Sequence, residues 1–343
     1  MDLICETLRS LNYTVDIIYY TTLDPRNLIG TKDTPKGPVA YDLTKADVVV
    51  FQLVFYEALV LIIQELKARG IYTIMESDDN YLNLNRNSPA FWVFHPKTKL
   101  MKQPDGSKMF KVFKEKCNPS LDNMMKAMRT VDLLQVSTPE LAELYKPFNS
   151  NIVVLENCID MNLYNFKRSS NEKPVVIWSG TKTHIDDLYQ LSGCVPHNCK
   201  LIIGGFTEAQ DKGLFKDHPD VTFLEGTTLE KYPKELVALG DIVAIPLVDN
   251  KFNACKSDIK GLEHAALGIP CVASDVAPYR RWVDDTNGFL VKKNKTKFWI
   301  RYLQRLVDDK ELREKLGAGA KKKAMERDIR KNIYRWESVY FGK

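Results

Sequence analysis

Two lysines, a serine and a glutamate in the C-terminal half have the residue types and spacing to bind a phosphorylated ligand. Lys256 and Ser257 precede Lys260 by about one helical turn, and Glu263 follows three residues later. Lysines at a helix N-terminus suit phosphate, because the ammonium charge and the helix dipole both favour an anion. A carboxylate suits a diol, since it can accept two hydrogen bonds. The alternative is a solvated helix on which Lys260 and Glu263 pair only because of their spacing.

A second candidate group, made of Gly180, Thr181, Lys182 and His184, directly follows a predicted strand. Gly180 would let the backbone approach phosphate groups, and Lys182 would add positive charge. We interpret His184 as a further catalytic candidate that could contact the ligand; the alternative is that it caps the helix predicted to follow.

Gly204 and Pro246 also follow predicted strands, and open parallel sheets bind ligands at the carboxyl ends of their strands. Gly204 and Gly205 form a tight exit that is either the edge of a site or an ordinary turn. Ile245 and Pro246 could flank a nucleotide base.

Three carboxylates, Glu76, Asp78 and Asp79, follow a predicted strand of the N-terminal half. Carboxylates clustered there could orient an acceptor hydroxyl, take its proton or bind a divalent metal. The alternative is an acidic loop that caps the next helix. We interpret them as catalytic candidates and assign no metal ligand, and His95 is a further candidate for acceptor binding.

Residues 97–116 carry seven lysines against one aspartate and one glutamate, a local excess as large as the net charge of +5 of the whole chain. Lys108, Lys111 and Lys114 alternate with two phenylalanines. Lysines interleaved with aromatic residues suit nucleic acid, and the same composition suits an anionic membrane. A solvated loop on the acceptor side is the third interpretation.

Short strands alternate with helices along most of the chain, which indicates parallel sheets covered on both faces. The chain begins on a predicted helix, without the strand that usually opens a doubly wound domain. Four further local expectations are a strand at Tyr13–Tyr20, a loop at Thr21–Pro38, a helix at Ser257–Ala266 and a hairpin-like turn at Asn287-Gly288.

The alternation stops in the polar stretch Asn157–Ser170 and restarts at Pro174, which places a domain boundary there. We expect an N-terminal domain of residues 1–165, joined by the C-terminal helix 326–343. Residues 166–325 would form a second domain that binds the phosphorylated ligand.

The composition is that of an ordinary globular protein, with 44% hydrophobic and 27% charged residues. Seven scattered cysteines without a CxxC pair predict reduced thiols. No stretch reaches the roughly 18 apolar residues of a membrane span, and the N-terminus lacks a signal-peptide pattern. We therefore expect a cytoplasmic protein.

Four stretches resemble family 4 (group 1) glycosyltransferases of the GT-B type, as found in phages and bacteria. Residues 256–274 resemble the donor-binding signature, 178–184 the first loop of the donor domain, and 155–160 the interdomain linker. Residues 336–340 resemble the final helix, which in such enzymes crosses back to the N-terminal domain. The resemblance covers about residues 152–340.

This resemblance implies an α/β fold with two Rossmann-like doubly wound domains facing a central cleft. It implies transfer of a sugar from a UDP- or GDP-sugar, with retention of anomeric configuration. Glu263 would hold the ribose, and Lys256 with Ser257 would hold the phosphates, so that a divalent metal is not required. The family pattern has a second acid eight residues before the ribose carboxylate, where this chain has Cys255.

Two classes of acceptor stay open. The compact chain, the lysine segment and the absence of membrane anchoring favour the first, a hydroxymethylated base in phage DNA. That acceptor would place the protein in the host cytoplasm and require access to a base in the duplex. A cell-surface glycan or lipid-linked acceptor predicts peripheral membrane contact through the same segment. A further alternative is a non-catalytic nucleotide-sugar-binding protein or a GT-B epimerase.

Overall fold

A computed structural model describes residues 2–19, 23–24, 26–32, 34, 37–168, 170–194, 196–205, 213–215, 218–228 and 230–342. The chain forms two compact units, one of residues 1–156 with 333–343 and the other of residues 157–332. No helix among the described residues is long and apolar enough to cross a bilayer.

The described strands and helices are labelled in chain order. The strands are β1 (Ile29–Lys32), β2 (Val39–Asp42), β3 (Val48–Gln52), β4 (Tyr72–Ser77), β5 (Thr98–Lys102), β6 (Lys108–Val112), β7 (Leu133–Val136), β8 (Ile152–Val154), β9 (Val175–Ser179), β10 (Lys200–Gly204), β11 (Val221–Leu224), β12 (Ile242–Ile245), β13 (Cys271–Ser274) and β14 (Gly288–Val291). The α-helices are α1 (Asp2–Ser10), α2 (Glu57–Ala68), α3 (Pro89–Phe94), α4 (Ser120–Thr130), α5 (Pro139–Tyr145), α6 (Ile185–Leu188), α7 (Tyr232–Glu235), α8 (Lys251–Ala254), α9 (Ile259–Ala266), α10 (Ala277–Trp282), α11 (Thr296–Asp308), α12 (Lys310–Glu326), α13 (Ile329–Asn332) and α14 (Tyr334–Phe341). Short 3-10 helices cover Leu43–Lys45, Met161–Tyr164, Lys182–His184, Tyr189–Leu191, Val237–Leu239 and Lys292–Asn294.

The first unit is built on a parallel sheet whose strand order is β3, β4, β7, β8. Helix α2 covers this sheet, because its apolar residues recur at helical spacing and bury one face that includes Ile62, Ile63 and Leu66. The helix ends at Gly70, whose φ of +78° a glycine adopts without strain.

Two local expectations for the first unit were wrong. Within 13–19 the structure has no strand, only an isolated bridge from Ile18 to Lys32, and residue 20 lies outside the described part. The expected loop at Thr21–Pro38 instead contains β1, which pairs antiparallel with β2. This pair is a separate two-stranded sheet, so among the described residues the parallel sheet itself starts at β3.

The lysine-rich segment is a β-hairpin rather than a loop. Strands β5 and β6 pair antiparallel around the turn at 103–107, and Phe110 of β6 lies 6.3 Å from Trp92 between ring centroids. We name residues 98–112 the lysine hairpin.

The second unit contains a six-stranded, fully parallel sheet in the order β11, β10, β9, β12, β13, β14. In chain order this is 3-2-1-4-5-6, the arrangement of a doubly wound nucleotide-binding domain. Alternate residues of β9 enter the cores on opposite faces, Val175 and Ile177 on one side and Val176 and Trp178 on the other. The expected α/β fold with Rossmann-like units is therefore confirmed.

The local expectations at Asn287-Gly288 and Ser257–Ala266 also need correction. Strand β14 pairs parallel with β13, and α10 lies between them, so the turn is not part of a hairpin. Helix α9 begins at Ile259, after Asp258 at its N-cap, so that Lys256 and Ser257 precede the helix.

The boundary between the units lies nearer the N-terminus than 165/166. Ile159 donates its N–H to the carbonyl of Arg327 at 3.0 Å, and the Ile159 carbonyl accepts from the N–H of Ile329 at 2.9 Å. These two hydrogen bonds pair the backbone at Ile159 with the backbone of residues 327–329. Residues 157–165 are therefore attached to the end of the second unit.

The C-terminal helix α14 belongs to the first unit. The Tyr340 hydroxyl donates to Gln135 Oε1 of β7 at 2.7 Å, and Phe341 stacks on Tyr13 with ring centroids 4.3 Å apart. The polypeptide therefore returns to its first unit after completing the second, as the resemblance implied.

Candidate functional site

The residues of the second unit that the sequence singled out gather where the strand order of the sheet reverses. Strands β9 and β12 are neighbours in the sheet although two strands separate them in the chain. Gly180 follows β9, and the buried Pro246 follows β12. Ligands of open α/β sheets bind outside the carboxyl ends of strands at such a reversal.

Glycines let the ends of β9 and β10 approach each other closely. The N–H of Gly180 donates to the carbonyl of Gly204 at 3.0 Å. Gly205 has a φ of +85°, and a Cβ there would overlap the carbonyl oxygen of Gly180. A Cβ on Gly180 itself would lie 2.6 Å from the Trp178 ring. These glycines are therefore required by packing, and the Gly180 N–H is already occupied.

His184 is held by a buried aspartate that the sequence reasoning treated only as part of a helix start. Its Nδ1 lies 2.9 Å from Asp187 Oδ2, while Asp187 Oδ1 accepts from the N–H of Val248 and from Asn253 Nδ2, both at 2.7 Å. Burial lowers the pKa of His184, and the charges of Lys260 and Lys256 lower it further, against the opposing contribution of Asp187. His184 is therefore neutral near pH 7 and has its Nδ1 fixed.

Thr181 and Lys182 lie between Gly180 and His184. The hydroxyls of Thr181 and Thr183 are 2.7 Å apart. Lys182 opens a short 3-10 helix, and its side chain lies outside the described part of the structure.

The chain just before α9 is held in place by polar contacts. Ser257 Oγ accepts a hydrogen bond from Asn157 Nδ2 at 3.0 Å, and Asp258 pairs with Arg327 at 3.4 Å. The Arg327 guanidinium also donates to the backbone carbonyl of Asn157. The Lys256 amine lies 4.4 Å from the centre of the Phe252 ring. These contacts keep Ser257 and Asp258 outside the helix and present Lys256 at its N-terminus.

Lys260 and Glu263 extend from α9 into a half-buried polar cluster. The Lys260 amine lies 5.0 Å from the centre of the Trp178 ring. Glu263 is hydrogen-bonded to Tyr232, whose hydroxyl lies 2.9 Å from Ser179 Oγ at the end of β9. The cluster therefore joins α9, α7 and β9.

Burial opposes both charges of this cluster. Burial lowers the pKa of Lys260 to about 8, although Asp187 and Glu263 oppose the change. It raises the pKa of Glu263 to about 7, against the opposing effects of Lys260 and Tyr232. Neither the ammonium group of Lys260 nor the carboxyl group of Glu263 is well solvated. Both groups can therefore gain favourable interactions from a polar ligand.

Cys255 occupies the position at which the family pattern has an acid. Its side chain is buried, with 6% exposed. His264, which follows Glu263 in the chain, is also buried, and its Nδ1 lies 2.9 Å from the backbone carbonyl of Lys260. Of the side chains in this stretch, Lys256, Lys260 and Glu263 are thus the ones suited to bind an anion or a diol.

In the first unit, Glu76 lies in β4 itself, and Asp78 and Asp79 follow this strand. Glu76 Oε2 accepts a hydrogen bond from Gln52 Nε2 at 2.7 Å. Burial raises the pKa of Glu76, and the charge of the exposed Asp78 raises it further. The backbone of Asp79 is fixed by the Tyr145 hydroxyl, which donates to its carbonyl at 2.7 Å. Among these carboxylates, Glu76 is thus one whose proton affinity burial increases.

The acceptor candidates lie farther along the first unit. His95 ends α3, its Nδ1 accepts from the N–H of Lys97 at 3.2 Å, and burial with nearby Arg86 and Lys97 lowers its pKa. Lys108 and Lys111 lie on β6, and Lys114 follows it; all three are exposed.

Four side chains of the site were not among the sequence candidates: Trp178, Ser179, Tyr232 and Asp187. Trp178 and Ser179 lie in the stretch 178–184 that carried the resemblance, and Asp187 follows His184 by three residues at the start of a helix, whereas Tyr232 had no local signal. Across the described residues, no group of three or more histidine, cysteine or acidic side chains is placed to hold a metal ion.

Residues 177–309 match the family model described as "Glycosyl transferases group 1". This match covers β9 to α11 and therefore includes every donor-site candidate. It confirms the resemblance for this part of the chain. A search of curated proteins finds no match.

Solved GT-B glycosyltransferases share the fold at low sequence identity. Sucrose-phosphate synthase from Thermosynechococcus elongatus has a TM-score of 0.61 and 13% identity, over 86% of this chain and 73% of that one. Staphylococcus aureus TarM, in complex with fondaparinux, alpha-GlcNAc-glycerol and UDP, has a TM-score of 0.61 and 14% identity, over 93% of this chain but only 63% of that one. Anabaena HepE in complex with UDP-glucose has a TM-score of 0.55 and 17% identity, over 87% of this chain and 80% of that one. At these identities the similarity establishes the fold.

Proposed function

We propose that this chain, whose residues 177–309 match the group 1 glycosyltransferase family model, transfers a sugar from a nucleoside-diphosphate sugar to an acceptor hydroxyl. The observation that carries the proposal is the placement of Lys256, Lys260 and Glu263 beside the carboxyl ends of β9 and β12. There a cation pair suits a diphosphate and a carboxylate suits a ribose diol.

In this proposal Glu263 binds the ribose, while Lys256, Ser257 and the N-terminus of α9 bind the diphosphate. Lys182 adds positive charge, and Pro246 flanks the base. Thr181 and the backbone at Gly180 and Gly204 border the phosphates. Positive charge around the departing diphosphate stabilises the negative charge that develops on it, which we expect to supply much of the rate enhancement. The diphosphate then needs no metal ion.

His184 is proposed to contact the transferred sugar as a neutral imidazole, because Asp187 fixes its Nδ1 and leaves Nε2 for the ligand. Glu76, with Asp78 and Asp79, is proposed to orient the acceptor hydroxyl and take its proton. We propose retention of anomeric configuration from the family resemblance alone.

UDP-sugars are the first donors to test, since the similar Anabaena HepE and S. aureus TarM structures contain UDP-glucose or UDP. Purified protein is mixed with UDP- and GDP-sugars, and thermal shift and slow sugar hydrolysis are measured. We expect a stabilising shift with one nucleotide class. Glu263→Ala should weaken donor binding roughly 10- to 100-fold, because a hydrogen bond to a charged group is lost.

Glu311→Ala is the matched control, since Glu311 is an exposed glutamate of the same unit. Unchanged donor affinity in Glu263→Ala would overturn the site assignment. Absence of binding and hydrolysis with every donor would overturn the enzymatic proposal in favour of a non-catalytic protein.

For the acceptor, we favour a cell-surface glycan or lipid-linked hydroxyl over the hydroxymethylated base of phage DNA. The specific observation is that the lysine hairpin exposes aliphatic side chains, whereas its Phe110 is half-buried near Trp92. Stacking on bases requires exposed aromatic rings. Incubation with donor and hydroxymethylated DNA should leave nucleoside masses unchanged; a mass increase by one sugar would establish the DNA acceptor.

A further inference from the structure

The lysine hairpin presents positive charge and exposed aliphatic side chains together. Its cross-strand register places Lys99 opposite Lys111 and Lys102 opposite Lys108. Within the described residues, none of these four lysines forms an ion pair, and all four are exposed. Like charges directly opposite each other destabilise a hairpin, so anions close to these lysines would relieve their repulsion.

Large apolar side chains lie among these lysines and are open to solvent. The exposed fractions are 47% for Leu100, 36% for Met101, 56% for Met109 and 45% for Val112. Met101 and Met109 are directly opposed, on the same face as the pair of Lys99 and Lys111. The two methionines beside Lys99 and Lys111 match a bilayer surface, where the methionines enter the acyl boundary and the amines meet phosphate headgroups.

We propose that the lysine hairpin is a docking surface for an anionic phospholipid bilayer. Duplex DNA would use the lysines but would leave the two methionines in water, and single strands would need exposed aromatic rings. The hairpin turn carries one acid, Asp105, whose carboxylate is occupied by Ser107. Since residues 97–116 still carry a net charge of +5, the attraction to anionic lipid is retained.

This inference rests on the proposed function and deepens it by placing the acceptor at a membrane surface. Vesicle binding requires no sugar donor, so membrane docking and sugar transfer are tested independently of each other. The full-length protein is sedimented with vesicles of phosphatidylglycerol and phosphatidylcholine, and with vesicles of phosphatidylcholine alone. We expect binding to the first that falls with added salt, and little binding to the second.

Two double variants separate the contributions of charge and apolar surface. Lys99→Gln with Lys111→Gln should lower the vesicle partition coefficient roughly thirtyfold, since each lysine near an anionic surface contributes about fivefold. Met101→Gln with Met109→Gln keeps the charge and should lower it about tenfold. Lys321→Gln with Lys322→Gln removes the same charge from exposed positions of α12 and should change nothing.

Circular dichroism confirms that each variant is folded. Equal loss in the α12 control, or unchanged partition in the methionine variant, would overturn the proposal, because binding would then be nonspecific attraction of a basic protein. It would equally be overturned by lysine-dependent binding to duplex DNA without vesicle binding, or by binding to neither partner.

Discussion

Glu263 illustrates how burial converts an ordinary side chain into a candidate binding group. Its carboxyl lies in a half-buried cluster with Lys260 and Tyr232, and burial raises its pKa to about 7. Its charge is therefore poorly solvated in the protein without ligand. Hydrogen bonds from a bound diol would replace the missing solvation, which is the physical basis for the proposed ribose contact.

This raised pKa predicts a pH-dependent stability. A carboxyl whose pKa is about 7 when folded and near 4.5 when unfolded destabilises the fold progressively as the pH rises between these values. Glu263→Gln cannot ionise, so its melting temperature should equal that of the wild type near pH 5 and exceed it by about 2–5 °C at pH 8. Differential scanning calorimetry across this pH range measures the difference.

The exposed Glu311→Gln should show no such trend and serves as the control. A melting-temperature difference for Glu263→Gln that does not grow between pH 5 and pH 8 would contradict a raised pKa at Glu263.

At the level of elements, the carboxyl ends of β9 and β10 pack backbone against backbone, with no side chain between them. Gly180 donates to Gly204, and Gly205 turns with a positive φ against the Gly180 carbonyl. The loop after β12 depends on Asp187, which accepts from Val248 and Asn253. The loops that carry the proposed donor contacts are thus held by buried backbone and carboxylate hydrogen bonds.

Gly205→Ala should destabilise the second unit by about 3 kcal/mol, because the added Cβ overlaps the Gly180 carbonyl and the backbone has a positive φ. Urea unfolding followed by tryptophan fluorescence measures this change. Gly226→Ala is the matched substitution, since a Cβ there meets nothing within 4 Å, and it should change stability by less than about 0.5 kcal/mol. Equal effects of the two substitutions would refute the packing role of Gly205.

For the whole molecule, the chain leaves its first unit at 156 and returns to it at 333. Helix α14 is attached there through Tyr340, which is buried and bonded to Gln135 in the central strand β7. The first unit is therefore built from two stretches of the chain that the second unit separates.

Tyr340→Ala should destabilise the first unit by about 3–5 kcal/mol, because it removes a buried ring and leaves the Gln135 side chain without this partner. Hydrogen exchange should accelerate in β3, β4 and β7, while β9 to β14 keep their protection. Tyr334→Ala, on the same helix but 62% exposed, should leave exchange unchanged. Faster exchange confined to the second unit would show that α14 does not stabilise the first.

The sequence by itself determined many local elements and pointed to the family whose model matches residues 177–309. Continuous apolar runs predicted strands such as Leu133–Val136 and Ile242–Ile245, and residues 256–274 resembled a donor-binding signature. These signals are local, because helix periodicity, strand burial and glycine turns are read within a few residues. The strand at Tyr13–Tyr20 was misjudged because its β-branched run found only a single bridge.

Tertiary structure alone decided which residues surround the proposed donor. Tyr232 reaches Ser179 across 53 positions, and Asn157 reaches Ser257 across 100. Such partners depend on the order of strands in the sheet, which no local pattern contains. The tertiary structure also decided which groups are buried. It places Cys255 in the interior, and it buries Glu263, whose pKa rises to about 7. Solvation depends on what the rest of the chain packs around a group, and a linear pattern does not specify this.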